Sequence, residues 1–531
     1  MTMKKISSFI LAGLMLVAAS CKESEFTERY ADPSKIAEST VEKQYTGFLF
    51  ASKDYILPGY GQYFVTLRTT LSRYNQAVGW PNESGQYVPA SAGVQDMWFN
   101  YYNSLAQYRE LEKIYNSRPA EEQAAKRIFM LTAKVYLYNY TQRMVDLHGA
   151  IPFTEAGMLS TNGGDYAGSN AKFDSPESLY TMMLDDLKAI ATELNTITVG
   201  AGYLKGFQTQ DFVNKGDITM WKRFANSLRL RMLNRVSAAA TFSGRSNTEI
   251  AEILNNPATY PVVETNDQNI QINVYDVNTD VNSKGFQDGL ASAGWYGNTA
   301  GKKMIDFMNS TSDPRLKLLF EPGENAKGAY IGIDPIGTSA TQTALFNTGT
   351  VSIYNRYVLS SNQFFPGVII NAPEINLIKA EYYLRTGVDG SAKTAYETAI
   401  SQSVKFYTAI ANLSNATLGT KPVSPTDAQI AAYIATDAVN WTKATTSAAK
   451  LSLIATQKWL HYNVVQPYEN WADIRRLDLP ALTFQTDNAN NQTTPPVRWN
   501  YPGNEITYNT DNYALVRESD KLTTKLFWDV K

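Results

Sequence analysis

Residues 123–147, QAAKRIFMLTAKVYLYNYTQRMVDL, carry apolar side chains on two neighbouring faces of a helix. The first face holds Ile128, Leu131, Val135, Tyr138 and Val145, and the second holds Phe129, Ala133, Tyr136, Tyr140, Met144 and Leu147. Only Arg127, Lys134 and Thr141, spaced seven apart, form a polar stripe. A helix that is apolar over so wide an arc is buried between other helices. The sequence therefore predicts a helical assembly around this segment, which ends at His148-Gly149.

The rest of the chain is also mainly helical in pattern. Helices are predicted at 174–194, with Ser175 as N-cap and Pro176 in the first turn, and at 218–236. Alternating apolar residues predict a short strand at 269–277. Segments rich in Gly, Asn and Thr predict loops at 278–300 and 321–350.

One segment has the spacing of a tetratricopeptide helix pair. In PEINLIKAEYYLRTGVDGSAKTAYETAI, 373–400, small residues occur where two helices approach closely, and Gly387 ends the first helix. The small and large positions are Ala380, Leu384, Ala392, Tyr396 and Ala399. No strict 34-residue period recurs elsewhere, so other helix pairs have diverged or are interrupted. The predicted fold class is mainly α, with helix pairs, a loop-rich half and a few short strands.

The N-terminus has the features of a secretory signal. Lys4 and Lys5 precede an apolar run at 6–19. The last two residues of this run and Ser20 are small, and Cys21 follows directly. The run is shorter than the 20 or so residues that a membrane-spanning helix needs.

Cys21 is the single cysteine of the chain, so it forms no internal disulfide. The small residues before it resemble a bacterial lipobox, although Ala18 stands where Leu is usual. We therefore expect residues 1–20 to be a lipoprotein signal peptide and Cys21 to be the lipidated first mature residue. Residues 21–40 are then a flexible tether and 41–531 the folded body. The alternative is an incidental buried thiol.

Composition excludes several classes of function. The 48 Lys and Arg balance the 50 Asp and Glu, so no basic surplus points to nucleic acid. Two histidines and one cysteine leave no zinc-site spacing, and no phosphate-binding or nucleophile-elbow motif is present. A structural calcium site in the loop 162–170 is left open, although the loop has no ordered spacing of calcium ligands. We predict no metal, no cofactor and no catalytic residue, although the many carboxylates leave a glycosidase pair open.

Aromatic residues make up 12% of the chain, and those on loops are the candidates for ligand contact. An exposed ring offers an apolar face to a sugar, while neighbouring amides supply hydrogen bonds. The predicted ligand-binding residues lie in 77–89 and 291–301, and they are Trp80, Asn82, Tyr87, Trp295, Tyr296 and Asn298. The alternative is that these aromatic side chains fold back onto the body.

Aromatic and charged residues on helices are instead expected in the core. They are the cluster 97–102, Trp221, Trp471, Arg475 and Arg476, with His148 and His461 as structural histidines.

Several segments in a fixed order resemble the SusD/RagB family of outer-membrane nutrient-binding lipoproteins. They are VDLHGAIPFTEA (145–156), DSPESLYTMMLDDL (174–187), MWKRFANSLRLRMLNRV (220–236), SDPRL (312–316), EINLIKAEYYLRTG (374–387), QPYENWADIRRLDLP (466–480) and VRWNYPGNEITYN (497–509). The resemblance covers most of the mature chain, with His148 where the family commonly has an aromatic residue such as Tyr. Residues 22–25, KESE, also resemble an export signal for lipoproteins on the outer face of the outer membrane.

The resemblance implies a SusD-like fold, with tetratricopeptide-like helix pairs in a right-handed arrangement. It also implies that the protein forms a lid on a SusC-like TonB-dependent barrel. The lid would bind an oligosaccharide or peptide and release it into the barrel without covalent chemistry. The membrane would be contacted only through the N-terminal lipid. The alternatives are a subunit that only gates the barrel, with its loop aromatics facing it, or a lipid-anchored glycoside hydrolase.

Overall fold

The structure, a computed structural model, describes residues 39–291 and 298–531. The predicted signal peptide and Cys21 lie outside the described residues, as do Trp295 and Tyr296. Helices dominate the described part of the chain, and its strands are two to four residues long. No helix within those ranges has the length and apolarity needed to cross a membrane. The prediction of a mainly helical fold with a few short strands is confirmed.

The helices are numbered along the chain. The first ten are α1 (Val41–Ala51), α2 (Leu71–Tyr74), α3 (Ser91–Asn116), α4 (Ala120–Ala125), α5 (Arg127–His148), α6 (Pro176–Thr196), α7 (Ala201–Gln210), α8 (Ile218–Arg235), α9 (Ser243–Asn255) and α10 (Lys284–Ala291). The others are α11 (Lys302–Ser310), α12 (Leu316–Leu319), α13 (Ser339–Asn347), α14 (Ala372–Arg385), α15 (Asp389–Leu413), α16 (Asp427–Ala435), α17 (Ser447–Tyr462), α18 (Pro467–Leu477), α19 (Gly503–Tyr508) and α20 (Thr510–Tyr513).

The strands form antiparallel pairs of two. They are β1 (Ile151–Pro152) with β2 (Phe173–Asp174), β3 (Ile270–Ile272) with β6 (Gly367–Ile370), and β4 (Phe320–Glu321) with β5 (Ile353–Tyr354). The strand predicted at 269–277 therefore forms only over β3, whose register is irregular between Ile270 and Gln271.

The helices pack in a continuous series. α1 lies against α3 and α5. α6 packs on α5 and α8, and α8 also contacts α14. α14 contacts both α15 and α17, and α17 packs on α18. One large apolar core lies under α1, α3, α5, α6 and α8, and a second lies between the π-helical stretch Gly61–Leu67, α11, α15, α17 and α18.

The central helix α5 is as buried as its sequence predicts. From Ile128 to His148, Lys134 alone is not buried. The helix ends at Gly149, whose φ of +80° is a conformation that glycine adopts without strain.

The predicted single helix from residue 123 is wrong at its start. The backbone breaks at Lys126, with φ −102° and ψ 10°, and separates α4 from α5. The Lys126 ammonium lies 2.8 Å from carboxylate oxygens of both Glu42 and Glu122. The ion pair to Glu42 ties this break to α1.

Side-chain caps account for where the other helices begin. Ser175, Asp217 and Asn371 each accept a hydrogen bond from a backbone N–H in the first turn of α6, α8 and α14. Prolines in the first turn support α6 and α14. The cap predicted at Ser175 is confirmed.

The two segments predicted as loops contain helices. Within 278–300, α10 forms because Phe286 and Leu290, four residues apart, are both buried. Within 321–350, the Thr338 hydroxyl caps α13 by accepting a hydrogen bond from Thr341 N–H. Gly, Asn and Thr content therefore misled the prediction where packing or a cap favours a helix.

The predicted helix pair is confirmed as α14 and α15. Ala380, Ala392 and Ala399 are buried in a small core shared with Tyr396 and Trp441. Small side chains allow these two helices to pack closely along their length.

A buried network of charges joins α5, α8, α14, α17 and α18. We call it the charge network, and its members are Asp146, Arg231, Arg235, Glu374, Glu381, Lys458, Glu469, Asp473 and Arg476. Every side chain in it is 13% exposed or less. Arg231 binds both Glu374 oxygens, at 2.5 and 2.9 Å, and also donates to the carbonyl oxygen of Ile369.

Attraction within the network outweighs the cost of burying some of its carboxylates. Burial alone raises the pKa of Glu381, but Arg476 and Lys458 hold it well below its ordinary value. Likewise, Lys458, Arg476 and Arg235 overcome burial at Asp473 and lower its pKa to about 2. The predicted buried ion pairing of Arg476 is confirmed. Its neighbour Arg475 is also buried but donates to the carbonyl oxygens of residues 146 and 497.

We expect Arg231→Met to lower the free energy of unfolding by about 3–5 kcal/mol, because it leaves Glu374 buried without its partner. Lys172→Met is the control, since Lys172 and its partner Glu155 are 71% and 50% exposed. That change should stay within about 0.5 kcal/mol. Urea unfolding of both variants measures the difference, and equal losses would contradict a special role for the buried pair.

Both histidines are buried, as predicted, but they differ in their hydrogen bonding. His461 contacts Ser403 Oγ at 2.9 Å and Asn371 Oδ1 at 3.0 Å through its two ring nitrogens. Neither ring nitrogen of His148 has a hydrogen-bond partner among the described residues, and its ring packs against Trp98 and Tyr501. Burial, aided by Arg498, lowers the pKa of His148 to about 3.

This low pKa gives a signed prediction for His148→Phe. Between pH 6.5 and about 3, the unfolded chain protonates residue 148 and the folded chain does not, so the free energy of unfolding falls as pH falls. His148→Phe should remove this contribution, up to about 1.4 kcal/mol per pH unit, without loss of stability at pH 8. Urea unfolding at pH 8, 6 and 5 checks this, and parallel curves for the two proteins would disprove it.

Candidate ligand-binding site

A stack of planar side chains lies along residues 60–80. Tyr60, Phe64 and Arg68 occur at four-residue spacing over a π-helical stretch. The Tyr60 and Phe64 rings are stacked 4.9 Å apart at 14°. The Arg68 guanidinium lies 3.5 Å from the Phe64 ring centroid and 4.4 Å from that of Trp80. We call these four residues the aromatic–arginine stack.

Arg68 is held in the stack mainly by aromatic faces. Its Nε donates to the Phe64 carbonyl oxygen at 3.0 Å, and its buried Nη1 has no hydrogen-bond partner among the described residues. Burial lowers the pKa of the guanidinium to about 10, so the group stays charged at neutral pH. Cation–π attraction to two rings compensates for part of the lost hydration.

Trp80 forms the half-exposed end of this stack. Its indole N–H donates to a carboxylate oxygen of Glu83 at 3.2 Å. Glu83 also lies 3.5 Å from Arg73, whose side chain donates to the Pro81 carbonyl oxygen. The indole orientation is therefore set by contacts on both its edge and its face.

Asn82 fastens the loop that carries Trp80. Its side-chain amide donates to the carbonyl oxygens of Pro335 and Gly337, both at 2.8 Å. Its backbone N–H donates to Gln342 Oε1 at 2.6 Å. Both amide hydrogens of Asn82 are thus engaged within the protein, next to Trp80.

Tyr87 and Asn298 are buried, at 3% and 5% exposure, and the structure places neither on the surface. The Tyr87 hydroxyl donates to the Gln485 carbonyl oxygen at 2.7 Å, so this side chain folds back onto the body. The Asn298 carbonyl oxygen accepts from Tyr354 N–H at 2.6 Å. Of the two predicted rings that the structure describes, Trp80 is the more accessible, and it is partly buried.

Residues 291 and 298 bound the segment of Trp295 and Tyr296. Residue 291 ends α10, and residue 298 directly precedes Thr299. α10 packs on the π-helical stretch so closely that a Cβ at Gly289 would lie 2.6 Å from the Tyr63 ring. On the other side, Gly79 N–H donates to the Thr299 carbonyl oxygen at 2.7 Å. Trp295 and Tyr296 themselves lie outside the described residues, and their role stays a prediction.

Sequence reasoning missed Tyr60, Phe64 and Arg68. Their signal was the four-residue spacing of two aromatic rings and an arginine in YGQYFVTLR, directly before the loop of Trp80. Among residues 39–291 and 298–531, no group of three or more His, Cys, Asp or Glu side chains is arranged to hold a metal ion. The geometry offers instead a rigid apolar face bordered by polar groups.

A family model described as "Starch-binding associating with outer membrane" (SusD-like) matches residues 36–502. A comparison with curated proteins found no significant match.

Solved structures show the same fold at low sequence identity. A chitin-binding protein is 22% identical, with a TM-score of 0.71, over 92% of this chain and 100% of that one. A SusD homologue from Bacteroides fragilis is 21% identical, with a TM-score of 0.73, over 93% and 100%. A SusD-like protein from Bacteroides thetaiotaomicron is 19% identical, with a TM-score of 0.67, over 92% and 99%. Because the family model spans most of the chain and the fold agrees throughout, the protein belongs to the SusD-like family of starch-binding, outer-membrane-associated proteins.

Proposed function

We propose that this protein captures an oligosaccharide at the outer membrane and delivers it to a SusC-like TonB-dependent barrel. Family membership supports nutrient binding at that membrane. The similar fold of a chitin-binding protein supports the choice of a glycan as the ligand. The chemistry proposed is binding and release, with no covalent step.

The observation that carries the glycan assignment is the aromatic–arginine stack with Trp80 at its half-exposed end. Sugar rings bind to flat aromatic faces through their C–H groups, while their hydroxyls need polar partners at the edges. Glu83 lies at the indole edge, and the Arg68 charge lies behind the ring. We include Trp295, Tyr296 and Asn298 in this proposal as ligand contacts predicted from the sequence 291–301, and Asn82 and Tyr87 as residues that position the loop of Trp80.

Trp80→Ala should weaken glycan binding at least tenfold, because it removes the ring face and leaves Arg68 without one of its two aromatic contacts. Calorimetric titration of the mature protein with neutral oligosaccharides and peptides measures the change. Tyr166→Ala, which removes a 79% exposed ring on another loop, is the matched control and should bind as the native protein does.

Glycan binding that survives Trp80→Ala would overturn the assigned site. Binding to peptides alone would replace the sugar with a peptide ligand. Absence of binding across the panel, together with transport that fails without the protein, would favour a subunit that only gates the barrel. Turnover of a chromogenic glycoside, abolished by a single Asp or Glu substitution, would favour the glycoside hydrolase.

Anchoring through lipid on Cys21, with the body facing the cell exterior, is part of the same proposal. The support is the signal-like sequence before Cys21 and the acidic KESE-type segment after it. Several acyl chains hold a protein to a bilayer where one chain does not.

Cys21→Ala should release the protein from membrane fractions, because no thiol remains to carry acyl chains. Ultracentrifugation and immunoblotting of pellet and supernatant measure the distribution, with Ser20→Ala as a control that keeps the thiol. A Cys21→Ala variant that pellets like the native protein would rule out the lipid anchor.

A further inference from the structure

The Glu83 carboxylate has one oxygen engaged in the protein and one available at the edge of the Trp80 indole. Oε1 accepts the indole N–H at 3.2 Å and lies 3.5 Å from a guanidinium nitrogen of Arg73. Oε2 has no hydrogen-bond partner among the described residues, and the Glu83 side chain is 60% exposed. A ligand that covers the indole can therefore contact this oxygen.

Contacts on the protein side hold the carboxylate in place. The Glu83 N–H donates to Gln86 Oε1 at 3.2 Å, and the same oxygen accepts from Arg73 Nη2 at 2.5 Å. Both Arg73 and Gln86 are buried, so they support Glu83 from beneath. A ligand that binds to an acceptor already fixed in position loses little affinity to the ordering of side chains.

The position of the carboxylate relative to the indole favours one direction of ligand hydroxyl. An indole N–H lies in the plane of its ring, so the acceptor Glu83 lies beside the Trp80 ring and not above it. A sugar ring that packs on an aromatic face turns its C–H groups towards that face, and its equatorial hydroxyls point outward over the edge. One such hydroxyl can donate to Oε2, in a hydrogen bond that is stronger than one to an uncharged acceptor.

Glu83 also carries the charge that a ligand at this edge would contact. Arg68, Arg73 and Asp487 lie near the Trp80 loop, but they are 3%, 8% and 3% exposed. Arg68 lies behind the indole, and the Asp487 carboxylate accepts the Gly85 N–H at 3.1 Å. A ligand carboxylate beside Glu83 would face a like charge, which disfavours binding, whereas a hydroxyl would be a donor.

We propose that Glu83 is a specificity-determining residue of the site at Trp80. It selects neutral glycans whose sugar unit over the indole carries a free equatorial hydroxyl, and it disfavours glycans with a carboxylate on that unit. Oε1 orients the indole, while Oε2 accepts the hydrogen bond of the ligand. This inference rests on the glycan function proposed above and narrows the class of its ligand.

The test uses three hexasaccharides, maltohexaose, cellohexaose and chitohexaose, each paired with a form in which the 6-hydroxymethyl groups are oxidised to carboxylates. Calorimetric titration of the mature protein measures the dissociation constants. The native protein should bind its best neutral hexasaccharide about tenfold more tightly than the oxidised form of the same sugar, because like charges meet at Glu83 in the oxidised form.

Glu83→Gln keeps an acceptor for the indole N–H and replaces the available oxygen with an uncharged amide. It should weaken binding of the neutral hexasaccharide about fivefold and leave the oxidised form bound as tightly as before or more tightly, so the preference falls to about twofold or less. Glu518→Gln is the matched control, because Glu518 is 83% exposed and lies 3.5 Å from Arg517, as Glu83 does from Arg73. The control should keep the native preference.

A preference that Glu83→Gln leaves unchanged would overturn the role of Glu83, and so would a native protein that binds an oxidised sugar as tightly as its neutral parent. Equal weakening of both members of a pair would show that Glu83 only positions the indole. These results are distinct from a failure of the function itself. Glycan binding that survives Trp80→Ala, or no binding of any of the six hexasaccharides, would remove the site at Trp80 and the selectivity with it.

Discussion

The fold depends on charges that are removed from water at the centre of the helical assembly. Arg231 and Arg235 on α8 bind carboxylates on α5, α14 and α18, while Lys458 and Arg476 share Glu381 and Asp473. Apart from Arg476–Asp473, each pair joins two different helices, so the network is satisfied only when these helices dock in one arrangement. A buried ion pair need not exceed an apolar contact in stability, but it penalises any packing that leaves one charge alone.

A second buried polar group, around Arg315, connects the later helices in the same way. Arg315 is fully buried and binds three side chains. They are Asp313, which precedes α12, Tyr433 on α16 and Gln457 on α17. Arg315 supports the core on which the stretch 60–80 rests, since this stretch and α17 belong to one apolar cluster. The half-exposed indole of Trp80 is thus attached to a scaffold whose helix positions are fixed by buried charge.

The features that the sequence predicts correctly are those set by contacts between residues close together in the chain. The burial of α5 and the start of α6 follow from local spacing and a local cap, and both were predictable. The break at Lys126 was not, because its partner Glu42 lies 84 residues earlier. Helix α10 was missed because its apolar pair, Phe286 and Leu290, is short and surrounded by residues typical of loops.

At the candidate site, too, features set by local sequence were predictable and features set by long-range contacts were not. An indole among Gly, Pro and Asn predicted Trp80 as a surface ring. The four-residue spacing could have drawn attention to Arg68, but it does not show that the guanidinium packs on the Trp80 ring. The same rule failed to predict the burial of Tyr87, because its hydroxyl finds a carbonyl oxygen 398 residues later in the chain. Loop composition therefore indicates which rings are candidates, and long-range hydrogen bonds decide which of them stay at the surface.

The fastening of Asn82 to residues 335 and 337 has a kinetic consequence. The Trp80 loop already loses its conformational entropy when the protein folds. Binding of a ligand therefore costs little further loop entropy. Encounter can then proceed near the rate set by diffusion and orientation, and differences in affinity between ligands lie mainly in how fast they leave. A loop that is ordered before binding is consistent with the capture step of the proposed function.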